Sequence, residues 1–216
     1  MVGSQRALKA TRPVEPCVIV IDDDVQLRDA LANLFRSVGL EVLLFGSGSE
    51  FLQAKLPEVP CCLVLDIRLP GMSGLDFQNQ LLKAGIDLPI VFMTGHGDIP
   101  MSVRAMKAGA VDFLGKPFRD QDMLDAVALA IERDRERRVL QKTVALLRDR
   151  YNALTPREAE VMTHVSKGLL NKQIAAEMSL AEITVKIHRG NLMRKMGATS
   201  LAHLVRMAAS LGIHGD

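Results

Sequence analysis

The stretch Cys61–Gly74, CCLVLDIRLPGMSG, decides how this chain is read. Cys61 to Leu65 is a continuous apolar run of strand length, the pattern of a strand buried on both faces. It ends on one carboxylate, Asp66. Pro70, Gly71, Ser73 and Gly74 follow, residues that make turns and start helices. A lone acid at that place is either a cap or strand-end charge, or a ligand-binding group. Open α/β sheets bind their ligands at the carboxyl edge of the strands, and the neighbouring segments favour the second reading.

Cys17–Ile21, CVIVI, is another buried strand, with Asp22, Asp23 and Asp24 directly after it. Leu27, Ala30, Leu31, Leu34, Phe35 and Val38 then recur at helical spacing, up to a stop at Gly39. Glu41–Phe45, Leu88–Met93 and Val111–Leu114 read as further strands. Helical patterns cover 47–55, 75–84 and 98–108, and another begins near Asp120. Strands alternating with helices predict an α/β doubly wound parallel sheet of five strands with right-handed crossovers. The size suits the flavodoxin-like order 2-1-3-4-5, which makes the first and third strands neighbours.

That order brings Asp22, Asp23 and Asp66 to one edge, with Thr94 and Lys116 at the ends of the fourth and fifth strands. Crowded carboxylates repel unless a cation sits among them, and a hard, oxygen-rich site suits Mg²⁺. Lys116 adds a positive charge and Thr94 a hydroxyl donor. These parts fit phosphoryl transfer, in which Asp66 is a nucleophile already ionised at neutral pH. Asp24 reads as the cap of the first helix.

The formal net charge is +2, but its distribution says more. Residues 17–132 carry 9 basic against 16 acidic side chains, 133–154 carry 7 against 3, and 155–216 carry 8 against 5. An acidic first part and a basic second part suggest a metal or phosphate site followed by a nucleic-acid binder. The 48% hydrophobic content supports a sizeable core and excludes a disordered chain. Three cysteines, read as buried small hydrophobes, and no leader-like segment fit a reducing cytoplasm. No apolar run approaches the roughly 20 residues that span a bilayer. Residues 1–16, with Arg6, Lys9, Arg12, Pro13 and Pro16, read as a flexible basic tail.

Residues 17–132 resemble a bacterial response-regulator receiver domain. The motifs are Asp22-Asp23, Asp66 with Leu69-Pro70-Gly71-Met72-Ser73-Gly74, Thr94-Gly95-His96-Gly97 and Lys116-Pro117-Phe118. The resemblance implies that Asp66 accepts a phosphoryl group from a sensor histidine kinase. It implies that Asp23, Asp66 and the backbone carbonyl of Arg68 hold Mg²⁺, with Asp22 acting mainly through water. Thr94 and Lys116 would contact the phosphoryl oxygens, Phe113 matches the aromatic switch position, and Lys116-Pro117 matches the cis-peptide position. A phosphorylation-dependent homodimer is expected through the fourth helix, fifth strand and following helix, with Val103, Arg104 and Lys107 on that face.

Residues 133–154 read as a stiff helical linker, free of Gly and Pro. Leu140, Val144, Leu147, Tyr151 and Leu154 recur at spacings of 4 and 3. Over so few heptads two readings stand: a seam packed on its own domain, or a pair with a second copy.

Residues 155–216 read as an all-α four-helix unit. Thr155-Pro156-Arg157-Glu158 is a capping box with proline at the first helical position. Asn171–Gly190 has helix-turn-helix spacing, and Lys186, Arg189, Arg194 and Lys195 give the third helix a basic face suited to phosphates and the major groove. This segment resembles the LuxR-type DNA-binding domain, and joined to a receiver it resembles the NarL/FixJ subfamily, FixJ-like branch. The resemblance implies promoter DNA as partner, with RNA polymerase also expected. Lys186 and Ile187 would read bases. Lys172, Thr184, His188 and Arg189 would contact phosphates, although His188 also reads as a packed side chain. Gly190 stands where relatives carry a base-reading side chain.

Two other functions fit the sequence less well. An enzyme using an aspartyl nucleophile, of the haloacid-dehalogenase kind, would need a second acid two residues after Asp66, where Arg68 stands. A protein-binding adaptor would not need the basic third helix.

Overall fold

The computed structural model describes residues 15–95 and 99–213. Most of the expected tail, residues 1–14, and His96–Asp98 lie outside the described residues. The chain divides into two compact units between Arg138 and Val139.

In the first unit the strands are β1 (Cys17–Ile21), β2 (Glu41–Phe45), β3 (Cys61–Asp66), β4 (Arg68–Leu69), β5 (Met72–Ser73), β6 (Ile90–Thr94) and β7 (Asp112–Gly115). The helices are α1 (Val25–Ser37), α2 (Gly48–Gln53), α3 (Gly74–Lys83), α4 (Ile99–Lys107) and the first part of α5 (Asp120–Asn152). The main sheet runs β2-β1-β3-β6-β7, all parallel. This is the order expected from the sequence. Among the described residues there is also a two-stranded β4-β5 hairpin that the sequence pattern does not indicate. Its strands flank the Pro70-Gly71 turn, pairing Arg68 with Ser73 and Leu69 with Met72.

Every residue of β1 and β3 is buried, which explains why both read as unbroken apolar runs. Alternate side chains go to opposite faces. Ile19, Ile21, Leu63 and Leu65 pack with Phe51 and Phe77 on one side. Val18, Val20, Cys62 and Val64 pack with Leu31, Phe35 and Val127 on the other. Each strand therefore ends at a fixed place, and helix caps fix the turns beyond. Asp24 accepts from the backbone N–H groups of Gln26 and Leu27, and Ser47 and Ser73 cap α2 and α3.

The first unit extends six residues past the expected edge at 132. The reason is a buried carboxylate. Asp134 is fully buried on α5, and its Oδ2 accepts the backbone N–H of Cys61, the first residue of β3, at 2.8 Å. Arg138 donates to the same oxygen at 2.6 Å, and Arg137 donates to Oδ1. Burial alone would push this carboxyl up. The bonds from Arg138, the Cys61 N–H and Arg137 outweigh it, so the group is held below the usual carboxylate range. Pro16, assigned to the tail, is tied to the start of β2, because its carbonyl accepts the N–H of Glu41 at 3.1 Å.

The second unit holds the rest of α5 with α6 (Pro156–Ser166), α7 (Asn171–Glu177), α8 (Glu182–Met196) and α9 (Leu201–Ser210). The capping box forms as read: Glu158 N–H donates to Thr155 Oγ1 at 3.3 Å, and Thr155 N–H to Glu158 Oε2 at 2.8 Å. Ser179 turns the chain between α7 and α8 with φ of 53°, the only non-glycine positive φ among the described residues. The α5 seam splits. Leu147, Tyr151 and Leu154 pack into the core with Val161, Ile174, Val185 and Leu192, whereas Leu140 is exposed. The later half of the seam is thus occupied within its own unit.

Replacing Asp134 strands a buried N–H and two guanidinium groups. Asp134→Ala should lower the unfolding free energy of the first unit by about 3 kcal/mol, measured by urea denaturation. Because the folded pKa is depressed, the wild-type stabilisation is complete above the unfolded carboxyl pKa and is lost as pH falls through the folded one. The gap between wild type and variant should therefore close in acid.

Candidate functional site

The carboxyl edge of the sheet assembles an acidic pocket from three strand ends. Asp22 follows β1, Asp66 ends β3, and Lys116 follows β7. One oxygen from each of Asp22, Asp23 and Asp66 lies within 4.8 Å of the others. Asp22 and Asp66 are buried, while Asp23 is exposed and gives the cluster its open side. Lys116 Nζ sits between the two buried acids, 2.7 Å from Asp22 Oδ2 and 2.6 Å from Asp66 Oδ2.

The remaining oxygens are held by backbone donors. Asp22 Oδ1 accepts the Asp24 N–H at 2.8 Å, and Asp66 Oδ1 accepts the Arg68 N–H at 3.0 Å. Burial pushes the Asp22 carboxyl above its ordinary range, and the Lys116 and Asp24 bonds do not bring it back. For Lys116, burial pulls the ammonium down, but its bonds to Asp22 and Asp66 leave it above the ordinary lysine value. One lysine against three carboxylates leaves the pocket short of positive charge. Its hard oxygen donors and its open side at Asp23 suit Mg²⁺.

Thr94 is buried at the end of β6, and its carbonyl accepts the Lys116 N–H at 2.7 Å, so the two residues share one corner. Lys116-Pro117 is a cis peptide. Phe113 lies on β7 opposite Phe92, half-buried against the sheet core. Val103, Arg104 and Lys107 are all exposed on α4.

Two residues shape the site in ways the sequence did not show, Gly74 having been read only as a turn and helix-start residue. Arg28 Nη1, from α1, donates to the backbone carbonyl of Asp22 and anchors the loop that carries Asp22 and Asp23. Its only signal was a polar residue one turn into the helix. Gly74 is the other. A Cβ there would lie 2.6 Å from the Asp66 carbonyl oxygen and 3.0 Å from Ile67 Cα. Only glycine lets α3 start this close to the strand end.

In the second unit, α8 exposes Lys186, 3.0 Å from Glu182 Oε1, and Ile187 beside it. Lys172 is exposed on α7. Thr184 and His188 are half-buried, as is Arg189, whose Nη1 donates to Asn171 Oδ1 at 2.8 Å. Lys195 departs from the expectation of an outward basic group. It donates to Glu158 at 2.6 Å and to the Ala153 carbonyl at 3.2 Å, serving the domain interior instead.

Comparison with known proteins matches these two regions separately. Residues 18–128 match the response regulator receiver domain, and residues 152–208 match the bacterial regulatory proteins of the luxR family. The chain is 62% identical over 199 residues to Nodulation protein W of Bradyrhizobium diazoefficiens, covering 92% of this chain and 88% of that protein. It is 41% identical to the transcriptional regulatory protein FixJ of Azorhizobium caulinodans, covering 91% and 93%. A solved low-resolution structure of the response regulator StyR aligns with a TM-score of 0.77 at 49% identity, covering 90% of this chain and 98% of that one.

Gly74→Ala should cost about 1–3 kcal/mol and move the Asp66 and Arg68 amide resonances, read by denaturation and NMR. Mg²⁺ that binds only the folded state should stabilise the wild type by about 2.7 kcal/mol at a hundred times its Kd. Calorimetric melts should show that increment disappearing in Asp66→Ala.

Proposed function

Since the chain belongs to the NarL/FixJ family of response regulators and is a phosphorylation-dependent transcriptional regulator, we propose that Asp66 is its phosphoacceptor. The observation that carries this is Lys116 held between Asp22 and Asp66 at 2.7 and 2.6 Å. A nucleophile so placed already has beside it the cation that its product needs.

The Asp66 carboxylate attacks the phosphorus of a kinase phosphohistidine. A P–O bond forms as the P–N bond breaks, and the imidazole leaves with its electron pair. Lys116 turns a donor to a phosphoryl oxygen, and the Thr94 hydroxyl serves a second. Asp23, Asp66 and the Arg68 carbonyl would hold Mg²⁺, with Asp22 acting through water. The ion supplies neutralising charge for the equatorial oxygens. No base is required, because the nucleophile carries no proton to remove.

The phosphoryl group adds nearly two negative charges next to Thr94. Phe113, half-buried on the neighbouring strand, serves as the side chain that repacks in response. The exposed Val103, Arg104 and Lys107 then form a face between two copies. Pairing presents two LuxR-type domains to adjacent half-sites of promoter DNA, which raises affinity through effective concentration. Lys186 and Ile187 face the bases. Lys172, Thr184, His188 and Arg189 meet phosphates, with RNA polymerase a further partner.

With acetyl phosphate and Mg²⁺, intact-mass spectrometry should show one phosphoryl group on the wild type and none on Asp66→Asn. Sedimentation should show the phosphorylated wild type as a dimer. A label at another residue with Asp66 intact rejects the phosphoacceptor assignment. A fully phosphorylated monomer that still gains DNA affinity rejects the dimer.

A further inference from the structure

The three cysteines are all free and buried, yet they do not occupy equal positions. Cys17 is the first residue of β1 and Cys61 the first of β3. The two strands are parallel neighbours, and their register sets Cys17 directly opposite Cys61. Both side chains belong to the core on the Phe51 and Phe77 side of the sheet. Cys62 goes to the other face, among Phe35 and Val127. One pair of thiols therefore meets, and the third thiol stands apart from it.

Paired strands lie about 4.8 Å apart, inside the roughly 4.4–6.8 Å between Cα atoms that a disulfide spans. The surroundings also set the two sulfurs apart. The bond to Cys17 and the charges of Arg138 and Arg137 hold the Cys61 thiol below its ordinary range, against burial and Asp134. The bond to Cys61, burial and the Glu41 carboxylate push the Cys17 thiol up. A cysteine beside guanidinium groups, with a second thiol against it, has the charge and the partner that oxidation to a disulfide requires. Neither residue is open to a bulky reagent, with exposures of 3% and 1%. The pair nevertheless sits at the rim of the sheet. The Cys61 thiol donates to the carbonyl of half-buried Val59 at 3.1 Å, and the Cys17 N–H to that of half-buried Pro60 at 2.9 Å. A small oxidant fits such a place.

We propose that Cys17 and Cys61 form an oxidisable dithiol pair, a modification site for a small peroxide that is separate from the acidic pocket. The Cys61 thiolate attacks one oxygen of hydrogen peroxide. An S–O bond forms as the O–O bond breaks, and the departing hydroxide takes a proton and becomes water. The Cys17 sulfur then attacks the Cys61 sulfur. An S–S bond forms as the S–O bond breaks, and the Cys17 proton leaves with that hydroxide as a second water. Two thiols lose two electrons, and one peroxide is reduced to two waters. The link joins the starts of β1 and β3, five residues ahead of Asp22 and of Asp66. That is about 16 Å along each strand, so the phosphoryl chemistry is left in place. One sheet then carries two covalent inputs, a phosphoryl group at its strand ends and a disulfide at its strand starts.

The test uses the full-length protein, fully reduced and then treated with hydrogen peroxide. The oxidant is removed, the chain is unfolded in guanidinium, and free thiols are capped with N-ethylmaleimide. Intact mass should show three caps on the reduced protein, one for each cysteine, and a single cap after oxidation. Peptide mapping should join Cys17 to Cys61 and place that cap on Cys62. Dithiothreitol should restore all three. The cross-linked protein should accept a phosphoryl group from acetyl phosphate to the same extent as the reduced protein. In Cys17→Ala, peroxide should leave oxygen on Cys61 with no cross-link. In Cys61→Ala, Cys17 should stay a thiol and take its cap.

Three caps after peroxide overturn the proposal, as does a link that runs through Cys62 or between two chains. Oxygen on Cys61 of the wild type without a cross-link makes it a lone reactive thiol and overturns the pair. A cross-linked protein that takes up less phosphoryl group than the reduced one overturns the separation of the two sites. These readouts do not depend on which residue is phosphorylated, so they stand apart from the phosphoacceptor assignment.

Discussion

One ammonium group shared by two buried carboxylates sets the terms for the first unit. Asp22 and Asp66 are both buried, and burying a charge is costly unless it is paired and hydrogen-bonded. Lys116 meets both, so three strand ends must be delivered to within hydrogen-bonding distance of one atom. That demand explains the sheet order. β1 and β3 must be direct neighbours, β6 must adjoin β3, and β7 must bring Lys116 back to the same edge. It also explains why β1 and β3 contain only apolar residues ahead of their acids. A strand buried on both faces cannot slip by one residue without moving a carboxylate out of reach.

Much of this was legible because it is written in local pattern. β1 and β2 carry the limits that their apolar runs imply, and α8 runs from Glu182 to Met196 as its stop at Gly197 implies. The acidic pocket was legible for a different reason. The alternation of strands and helices dictates which strand ends meet, so residues far apart in sequence could be placed together. What escaped were contacts that no periodicity encodes. Asp134 and Cys61 are 73 residues apart, and the acid sits inside a dense charged run, ERDRERR, in which no spacing marks one residue for burial. Arg28 uses its side chain on a carbonyl, which pattern does not report.

Helix α8 shows the same limit at smaller scale. Its basic residues look alike in sequence but perform different tasks. Lys195 neutralises Glu158, the buried acid of the capping box, and so secures the start of α6. Arg189 is steadied by Asn171 at the head of α7, which ties together the two helices of the helix-turn-helix pair. Lys186 remains at the surface beside Glu182. Counting cations along the helix overstates what is available to a nucleic acid.

The Asp134 clamp also bears on how the chain is made. Translation is vectorial, so β3 leaves the ribosome well before its partner on α5 exists. At about 5–20 residues per second, the intervening 73 residues take roughly 4–15 s to synthesise. For that interval the first N–H of the strand that ends in Asp66 has no carboxylate to receive it. The nascent sheet can gather its apolar faces early, but the edge of its central strand is sealed late. The long helix is therefore a closing part of the first unit as well as the start of the second, and a chain ending at residue 132 would leave that edge open for good.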